Sequence, residues 1–186
     1  MAGIYLHIPF CKTRCIYCDF YSTTRSELKT RYVHALCHEL GMRKEYLKGE
    51  PIETIYFGGG TPSQLEEADF KRIFETIREN YGMEHCREIT LEANPDDLSQ
   101  EYLKMLSSLP FNRISMGIQT FDDTTLRLLK RRHNSQTAIE AVRRCREAGF
   151  QNIIMLEGSW VGDKTRESMK VCGYEKLSEM YKVPFK

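Results

Sequence analysis

Three cysteines near the start of the chain, Cys11, Cys15 and Cys18, have a spacing that could hold a metal centre. They follow an apolar stretch that Pro9 ends, so all three thiols lie on one short loop. Three thiolates are one too few for a closed tetrahedral zinc or iron–sulfur site. A [4Fe–4S] cluster held by them keeps one iron without a protein ligand, free to bind a small molecule. We therefore expect a cluster with an open iron at this loop.

The same spacing is compatible with two other interpretations. Closely spaced cysteines can be structural zinc ligands, and Asp19 and His7 are then the nearest candidates for a fourth ligand. An inert loop with buried thiols is the other alternative. Zinc ribbons usually have two separated cysteine pairs, and the sequence has no second pair, so the spacing favours the cluster. The remaining cysteines are scattered and receive no role: Cys37, Cys86, Cys145 and Cys172.

A run of three glycines ending in Gly59 and Gly60, followed by Thr61, is the second feature that could bind a ligand. Glycines let backbone amides approach a ligand without a Cβ atom in the way, and the threonine adds a hydroxyl. The spacing fits neither the phosphate-binding P-loop nor the dinucleotide-binding G-x-G-x-x-G pattern. The run predicts either a simple turn or backbone contacts to the amine or carboxylate of a small molecule.

Polar residues at two further strand ends, Glu92 and Gln119, could bind ribose hydroxyls or an ammonium group. A structural hydrogen bond is an equally good interpretation of either residue. The basic run Lys130–His133 is typical of a solvated helix end, where positive charge is favourable. The alternative is an arginine that reaches into the site and meets a carboxylate.

These residues must be positioned by short strand-like runs that alternate with longer helix-like runs. Such alternation predicts an α/β fold with parallel strands and right-handed crossovers, in a barrel or a doubly wound sheet. Ligands of these folds bind at the C-terminal ends of the strands, where all the motifs lie, so we expect one composite site. The predicted strands are Ile4–Ile8, Thr54–Phe57, Ile89–Ala93, Arg113–Ile118 and Asn152–Leu156.

Helical spacing and capping residues give the connecting helices. Caps are expected at Ser63, at Ser99 and at Asn134 or Ser135, and Gly149 is expected just after the last helix. The predicted helices are Ser26–Leu47, Gln64–Tyr81, Ser99–Ser107, Asp122–Lys130 and Ser135–Ala148.

Composition bounds the class of protein. The chain has 186 residues, enough for one domain with a core, and its 27 Lys and Arg balance 26 Asp and Glu. It therefore has no basic field to favour a nucleic-acid partner. The N-terminal sequence lacks the regions of a signal peptide, and no apolar run is long enough to span a membrane. An odd number of cysteines suits reduced thiols, so we expect a cytoplasmic protein.

Taken in order, the motifs resemble those of the radical S-adenosylmethionine (SAM) superfamily, over residue 4 to about residue 153. More narrowly, they are similar to the oxygen-independent coproporphyrinogen III oxidase group and its heme chaperone branch. The resemblance implies a (β/α) barrel, and a [4Fe–4S] cluster whose open iron binds the amino and carboxylate groups of SAM. It also implies that the reduced cluster cleaves a C–S bond of SAM to give methionine and a 5′-deoxyadenosyl radical. The motifs are Cys-Lys-Thr-Arg-Cys-Ile-Tyr-Cys, Gly-Gly-Gly-Thr-Pro-Ser, Leu-Glu-Ala-Asn-Pro and Ser-Met-Gly-Ile-Gln-Thr-Phe.

The resemblance also implies roles for individual residues. Cys11, Cys15 and Cys18 match the cluster ligands, and no residue is assigned a catalytic role. For Arg131 the resemblance favours a place in the site over a solvated helix end. The implied partners are SAM, an electron donor and, in full-length members, heme or a porphyrin. The residues that match SAM-contacting positions are Tyr5, Tyr17, Gly59, Gly60, Thr61, Glu92, Gln119 and Arg131.

The sequence departs from the family pattern at two places. Phe20 stands where the oxidases have a fourth cysteine, which favours the heme chaperone branch. After Ile153 the pattern is lost for about a dozen residues, as an out-and-back change of reading frame would produce. There Leu156 occupies the position of a family aspartate that contacts SAM. We expect residues 1–153 to form a radical SAM core and 154–186 an atypical tail, without the family's C-terminal domain.

The chain ends at Lys186, at about half of a typical family length. We therefore expect an incomplete barrel of about five strands with an exposed sheet edge, which holds a cluster poorly and does not complete heme delivery. The leading hypothesis is a radical SAM protein of the heme chaperone type, and it leaves open whether the chain is an enzyme. The alternatives are an oxygen-independent coproporphyrinogen III oxidase, which decarboxylates propionates, and a non-catalytic zinc- or heme-binding module.

Overall fold

The computed structural model describes residues 2–157 of the chain. Most of the expected atypical tail, residues 158–186, lies outside the described residues. The described part contains one parallel sheet covered by helices. The five strands are β1 (Ala2–Ile8), β2 (Ile52–Gly59), β3 (Glu88–Ala93), β4 (Arg113–Gln119) and β5 (Asn152–Glu157). The helices are α1 (Lys29–Met42), α2 (Glu67–Tyr81), α3 (Gln100–Ser107), α4 (Asp123–Leu128) and α5 (Ser135–Glu147).

Each strand pairs in parallel with the next strand along the chain, so the sheet order is β1-β2-β3-β4-β5. A doubly wound sheet reverses its order at one point, whereas an unbroken sequential order is that of a barrel. Within residues 2–157, β1 and β5 each pair on one side only, so the sheet is not closed. The structure thus confirms the predicted α/β class and the incomplete barrel of parallel strands.

The helix ends follow the predicted signals in part. Ser99 and Asn134 cap α3 and α5 as predicted, each accepting a hydrogen bond from a backbone N–H of the first turn. The predicted cap at Ser63 is wrong. Helix α2 begins after Glu66, whose side chain and that of Asp69 each accept a hydrogen bond from the other's backbone N–H. Only the middle of the first predicted helix is α-helical, with 3₁₀ turns at both of its ends.

A layer of phenylalanine rings packs β2 against α2. The fully buried ring of Phe57 contacts Phe70 and Phe74 of α2 and Phe111, which precedes β4, with ring centroids 5.2–5.7 Å apart. The rings are tilted or edge-on to one another, the arrangement that aromatic quadrupoles favour. This packing fixes β2 immediately before the glycine run.

Among residues 2–157, no helix has the length and apolar character needed to cross a membrane.

Candidate functional site

One cavity of about 350 Å³ lies at the C-terminal ends of the strands, with lining residues from all five of them. The three cysteines that the sequence singles out line it. So does every residue that the resemblance matches to a SAM contact. The structure thus brings together side chains spread over more than a hundred positions of the chain. The residues in question are Tyr5, Cys11, Cys15, Tyr17, Cys18, Gly59, Gly60, Thr61, Glu92, Gln119 and Arg131.

The cysteine loop is closed at its base by backbone contacts. Phe10 and Thr23 form an isolated parallel bridge. The Cys11 N–H donates to the Thr23 carbonyl at 2.9 Å, and the Thr23 N–H donates to the Pro9 carbonyl at 2.7 Å. The loop that carries the three half-buried thiols is therefore held by the main chain itself.

Two side chains donate hydrogen bonds to the cysteine sulfurs. The Thr61 hydroxyl lies 3.3 Å from Cys11 Sγ, and the Arg131 guanidinium lies 3.6 Å from Cys15 Sγ. Burial raises the pKa of the Cys11 thiol, and the Thr61 hydroxyl opposes that shift. Donors against sulfur stabilise thiolate charge, and hydrogen bonds of this kind also tune a cluster once it is bound. Two donors therefore face the sulfurs, while burial on balance favours the neutral form of the Cys11 thiol.

The Arg131 side chain lies in the cavity wall rather than in solvent. Its guanidinium donates to Asn94 Oδ1 at 2.7 Å and also to the carbonyl of Gly117. Its Nε–H is buried and has no acceptor within the described part of the chain. The side chain lines the cavity, and its positive charge is suited to an anionic group, such as a carboxylate, that enters there.

The Glu92 carboxylate is held by two neighbours on β2. It accepts hydrogen bonds from the Tyr56 hydroxyl at 2.6 Å and from the Gly59 N–H at 3.1 Å. Burial, reinforced by this bond to Glu92, raises the pKa of Tyr56 to about 12. Gly59 has φ +110°, and a Cβ atom there would lie 2.5 Å from the His7 ring. Glycine is therefore required at this position, and Glu92 combines a structural hydrogen bond with a place in the cavity.

Three further predicted residues complete the wall. Gln119 ends β4 with φ +72°, a left-handed conformation that is unfavourable for a non-glycine residue and accompanies a shift of register with β5. The Tyr5 hydroxyl donates to His7 Nδ1 at 3.1 Å, and His7 Nε2–H in turn donates to the Tyr21 carbonyl. Burial raises the pKa of Tyr17 to about 12, so that phenol stays neutral.

Sequence reasoning missed Asn94, which joins two of the predicted residues. Its Oδ1 accepts from Arg131, and its Nδ2 lies 3.5 Å from Thr61 Oγ1. Its position two residues after Glu92, at the end of the same strand, is the signal that could have found it. Leu156 also lines the cavity, so the position where the family has an aspartate carries an apolar side chain here.

Residues 5–164 match a family model described as the radical SAM superfamily. Two curated relatives are the heme chaperones HemW of Lactococcus lactis and Bacillus subtilis, 39% identical over 150 residues and 40% identical over 156 residues. These matches cover 80% and 82% of this chain, but 38% and 41% of the relatives. The chain therefore spans about two fifths of the length of these relatives.

The oxygen-independent coproporphyrinogen III oxidase of Escherichia coli is 33% identical over 160 residues, which are 84% of this chain and 35% of the relative. A solved structure of an E. coli coproporphyrinogen III oxidase, HemN, described as a radical SAM enzyme, superimposes with a TM-score of 0.78 at 29% identity. That superposition covers 96% of this chain and 41% of the other. An archaeal Elp3 structure, at 18% identity and a TM-score of 0.59, shares the fold.

Proposed function

The chain belongs to the radical SAM superfamily, and from this we propose that it binds a [4Fe–4S] cluster and SAM in the cavity at the strand ends. Cys11, Cys15 and Cys18 would hold the cluster and leave one iron open for SAM. With both bound, the site would supply the chemistry that the family implies, which is transfer of an electron from the reduced cluster to SAM. One observation carries the proposal: a single cavity gathers the three thiols and all the residues that match SAM contacts.

The proposed role of the surrounding residues is to bind and orient. Thr61 and Arg131 donate to cysteine sulfurs and would offset negative charge on the bound thiolates. The Arg131 guanidinium, which lines the cavity, is a suitable partner for the carboxylate of SAM. Glu92, fixed by Tyr56 and Gly59, is a suitable acceptor for an ammonium or ribose hydroxyl. The tyrosines at the cavity edge would flank the ligand and limit the access of water.

The arrangement of the thiols supports a cluster over a single zinc ion. Among residues 2–157, no three His, Cys, Asp or Glu side chains converge closely enough to hold one metal ion. Zinc needs all its ligands within about 2.3 Å of the same ion. In a cluster each thiolate binds its own iron, so the sulfurs need only surround a common space. The three cysteines all line one cavity, which is compatible with that second requirement.

We also propose that the chain is of the heme chaperone type and is located in the cytoplasm. Its further partners would then be heme or a porphyrin and an electron donor. Two observations support the heme chaperone type. The HemW relatives of L. lactis and B. subtilis are 39% and 40% identical to the chain, against 33% for the E. coli oxidase. The chain also has Phe20 where the resemblance expects the oxidases' fourth cysteine, and that ring lines the cavity with 64% of its surface exposed. Heme delivery itself is a proposal drawn from relatives that are longer than this chain.

A second candidate is an oxygen-independent coproporphyrinogen III oxidase. The observation that favours it is the superposition on the E. coli oxidase, with a TM-score of 0.78. Incubating the reconstituted, reduced protein with coproporphyrinogen III and SAM separates the two candidates. Loss of propionate carboxyl groups from the product would establish the oxidase, whereas unchanged coproporphyrinogen III is expected of the heme chaperone type.

Anaerobic reconstitution with iron and sulfide tests the proposal. We expect about four irons and four acid-labile sulfides per chain, and an EPR spectrum of the reduced protein that changes when SAM is added. Zinc without acid-labile sulfide would favour a non-catalytic zinc-binding module, and heme bound without a cluster would favour a heme-binding module. Folded protein that takes up no iron would also refute the proposal.

A pair of cysteine variants gives this experiment its control. Cys15→Ala removes one of the proposed ligands, so the iron content should fall well below that of the native chain. Cys37→Ala removes a half-buried thiol of α1, to which the sequence gives no role, and should leave iron and sulfide unchanged. Equal iron content in the two variants would show that the metal is bound elsewhere or non-specifically.

A further inference from the structure

A buried carboxylate joins the loops around the cavity. The Asp97 side chain is only 2% exposed and accepts four side-chain hydrogen bonds. Its Oδ1 accepts from Lys12 at 2.8 Å and from Arg132 at 3.0 Å. Its Oδ2 accepts from the Ser63 hydroxyl and from the Gln64 amide, both at 2.9 Å. Each oxygen thus has two donors, and two of the four donors are cationic, which offsets the cost of burying the charge. Arg132 also pairs with Asp96 Oδ2 at 2.8 Å, so Lys12 is the cation that contacts Asp97 alone.

The donors come from the segments that carry the proposed cofactor site. One lies between two of the cysteines, two follow the glycine run, and one follows the arginine that contacts a cysteine sulfur. Three of the donors lie within two residues of a group at the proposed cluster site. That group is either a cysteine ligand or a side chain that donates a hydrogen bond to a cysteine sulfur. The pairs are Lys12 with Cys11, Ser63 with Thr61, and Arg132 with Arg131.

We propose that Asp97 is a positioning residue for the cluster site, an inference that rests on the proposed function of the three cysteines. Its carboxylate holds the cysteine loop, the glycine loop and the segment of Arg131 in one fixed arrangement. The Thr61 and Arg131 donors therefore stay in contact with the sulfurs. Because the carboxylate is buried, water cannot readily replace a lost partner, and each hydrogen bond counts for more than on the surface.

Lys12 gives the sharpest test, because it contributes the cysteine loop's contact with Asp97. Its side chain is 54% exposed, so Lys12→Met breaks the ion pair without opening a cavity in the core. The matched control is Lys71→Met on α2. Lys71 is 57% exposed and forms a 2.7 Å ion pair with Glu67 away from the cavity. Lys12→Arg keeps the charge and should restore native behaviour if the ion pair itself is what matters.

The first readout uses the metal-free protein. The rate of alkylation of each cysteine under native conditions, followed by mass spectrometry, reports how often the loop opens. We expect Lys12→Met to speed the alkylation of Cys11 and Cys15 roughly tenfold, since one charge-assisted hydrogen bond is lost. Lys12→Arg should be within about twofold of the native rate, and Lys71→Met should match it. Cys86 is the internal reference, and its rate should be the same in every variant.

The second readout uses the reconstituted protein. Transfer of iron to a chelator should be roughly tenfold faster from Lys12→Met than from the native chain or from Lys71→Met. Asp97→Asn removes the charge that Lys12 and Arg132 both contact and should have a larger effect. If Asp97→Asn does not fold, as judged by circular dichroism, Lys12→Met still decides the question.

The outcomes separate this inference from the proposed function. A native chain that takes up no cluster refutes the proposed function, while the alkylation rates still show whether Asp97 holds the loop. A native chain that takes up the cluster, with Lys12→Met indistinguishable from it in both readouts, refutes the positioning role alone. Failure of Lys12→Arg to restore the native rates would also overturn it.

Discussion

The phenylalanine layer around Phe57 and the cavity wall that begins at Gly59 lie two residues apart in the chain and differ in almost every physical respect. In the layer, four rings meet at centroid distances of 5.1–5.7 Å and Phe57 is fully buried. In the cavity wall the contacts are hydrogen bonds to carboxylate, amide and sulfur atoms, and Arg131 keeps a buried N–H with no acceptor in the described part. The rings of the first region fill the space between them, whereas the polar groups of the second surround a cavity that a ligand could occupy.

This difference teaches that stability and binding are carried by different residues of the same strands. A closed apolar layer contributes to folding through packing and burial. A polar wall with an unused donor contributes little to folding and much to recognition. Substitutions in the two regions should therefore have opposite signatures, and the following three predictions test that separation.

The largest expected change in stability follows Phe57→Ala in the phenylalanine layer. Removing a fully buried ring leaves a cavity among three other rings, and the free energy of unfolding should fall by about 3–5 kcal/mol. Urea unfolding followed by circular dichroism measures this. Phe20→Ala is the matched control, because the Phe20 side chain is 64% exposed and its loss should change the unfolding free energy by less than about 0.5 kcal/mol. Similar losses in both variants would contradict the separation.

A smaller effect, dependent on pH, is expected at His133, which is buried against β4. The side chain is 4% exposed, and its Nε2–H donates to the Ile118 carbonyl at 3.0 Å. Burial, assisted by the positive charge of Arg131, lowers the pKa of His133 to about 4. The unfolded chain binds this proton near pH 6.5 and the folded chain only near pH 4. Stability contributed by neutral His133 is therefore complete above pH 6.5 and lost as the pH falls toward 4.

Unfolding free energies between pH 7.5 and 4.5 check this prediction. Compared with His133→Met, the native chain should lose up to about 3 kcal/mol more on acidification, since each pKa unit corresponds to about 1.4 kcal/mol. The exposed His85 provides the control, and His85→Gln should keep the native dependence on pH. Parallel curves for the native chain and His133→Met would show that His133 is not buried in its neutral form.

The smallest change in stability, with a clear change in binding, is expected for Arg131→Met. The variant loses the donor to Cys15 and the positive charge that lines the cavity, so SAM should bind roughly tenfold more weakly to the reconstituted protein. The unfolding free energy should fall by only about 1 kcal/mol. An EPR titration with SAM measures the affinity. Arg127→Met, at an exposed arginine of α4, should bind SAM like the native chain, and equal affinities in both variants would remove Arg131 from the site.

Much of the fold could be predicted from the sequence, because the spacing of apolar residues and the capping residues at helix ends are local signals. Each predicted strand agrees with an observed one to within a few residues, and Ser99 and Asn134 cap the helices that they precede. The cap of α2 could not be predicted in this way. Ser63 and Glu66 are both plausible caps, and the choice depends on Asp97, which engages the Ser63 hydroxyl from a distant segment.

Parts of the candidate site that lie in one short motif could be recognised in the sequence. Parts that come together from residues far apart in the chain could not. The cysteine spacing indicates a metal centre without help, but Arg131 was distinguishable from a solvated helix end only through the family resemblance. Nothing local separates Asp97 from its neighbour Asp96. The two differ because Asp97 meets donors from three other segments, and that information exists only in the folded chain.

The contact between Arg131 and Cys15 has a consequence for the timing of biosynthesis, because it joins residues 116 positions apart. At roughly 5–20 residues per second, a ribosome makes the three thiols about 6 to 23 seconds before it makes the guanidinium that covers one of them. Between the emergence of the thiols and that of Arg131, Cys15 lacks the donor that contacts it in the folded chain. The cavity wall is complete only after Arg131 has left the ribosomal tunnel, so the proposed site forms late in synthesis or in the finished chain.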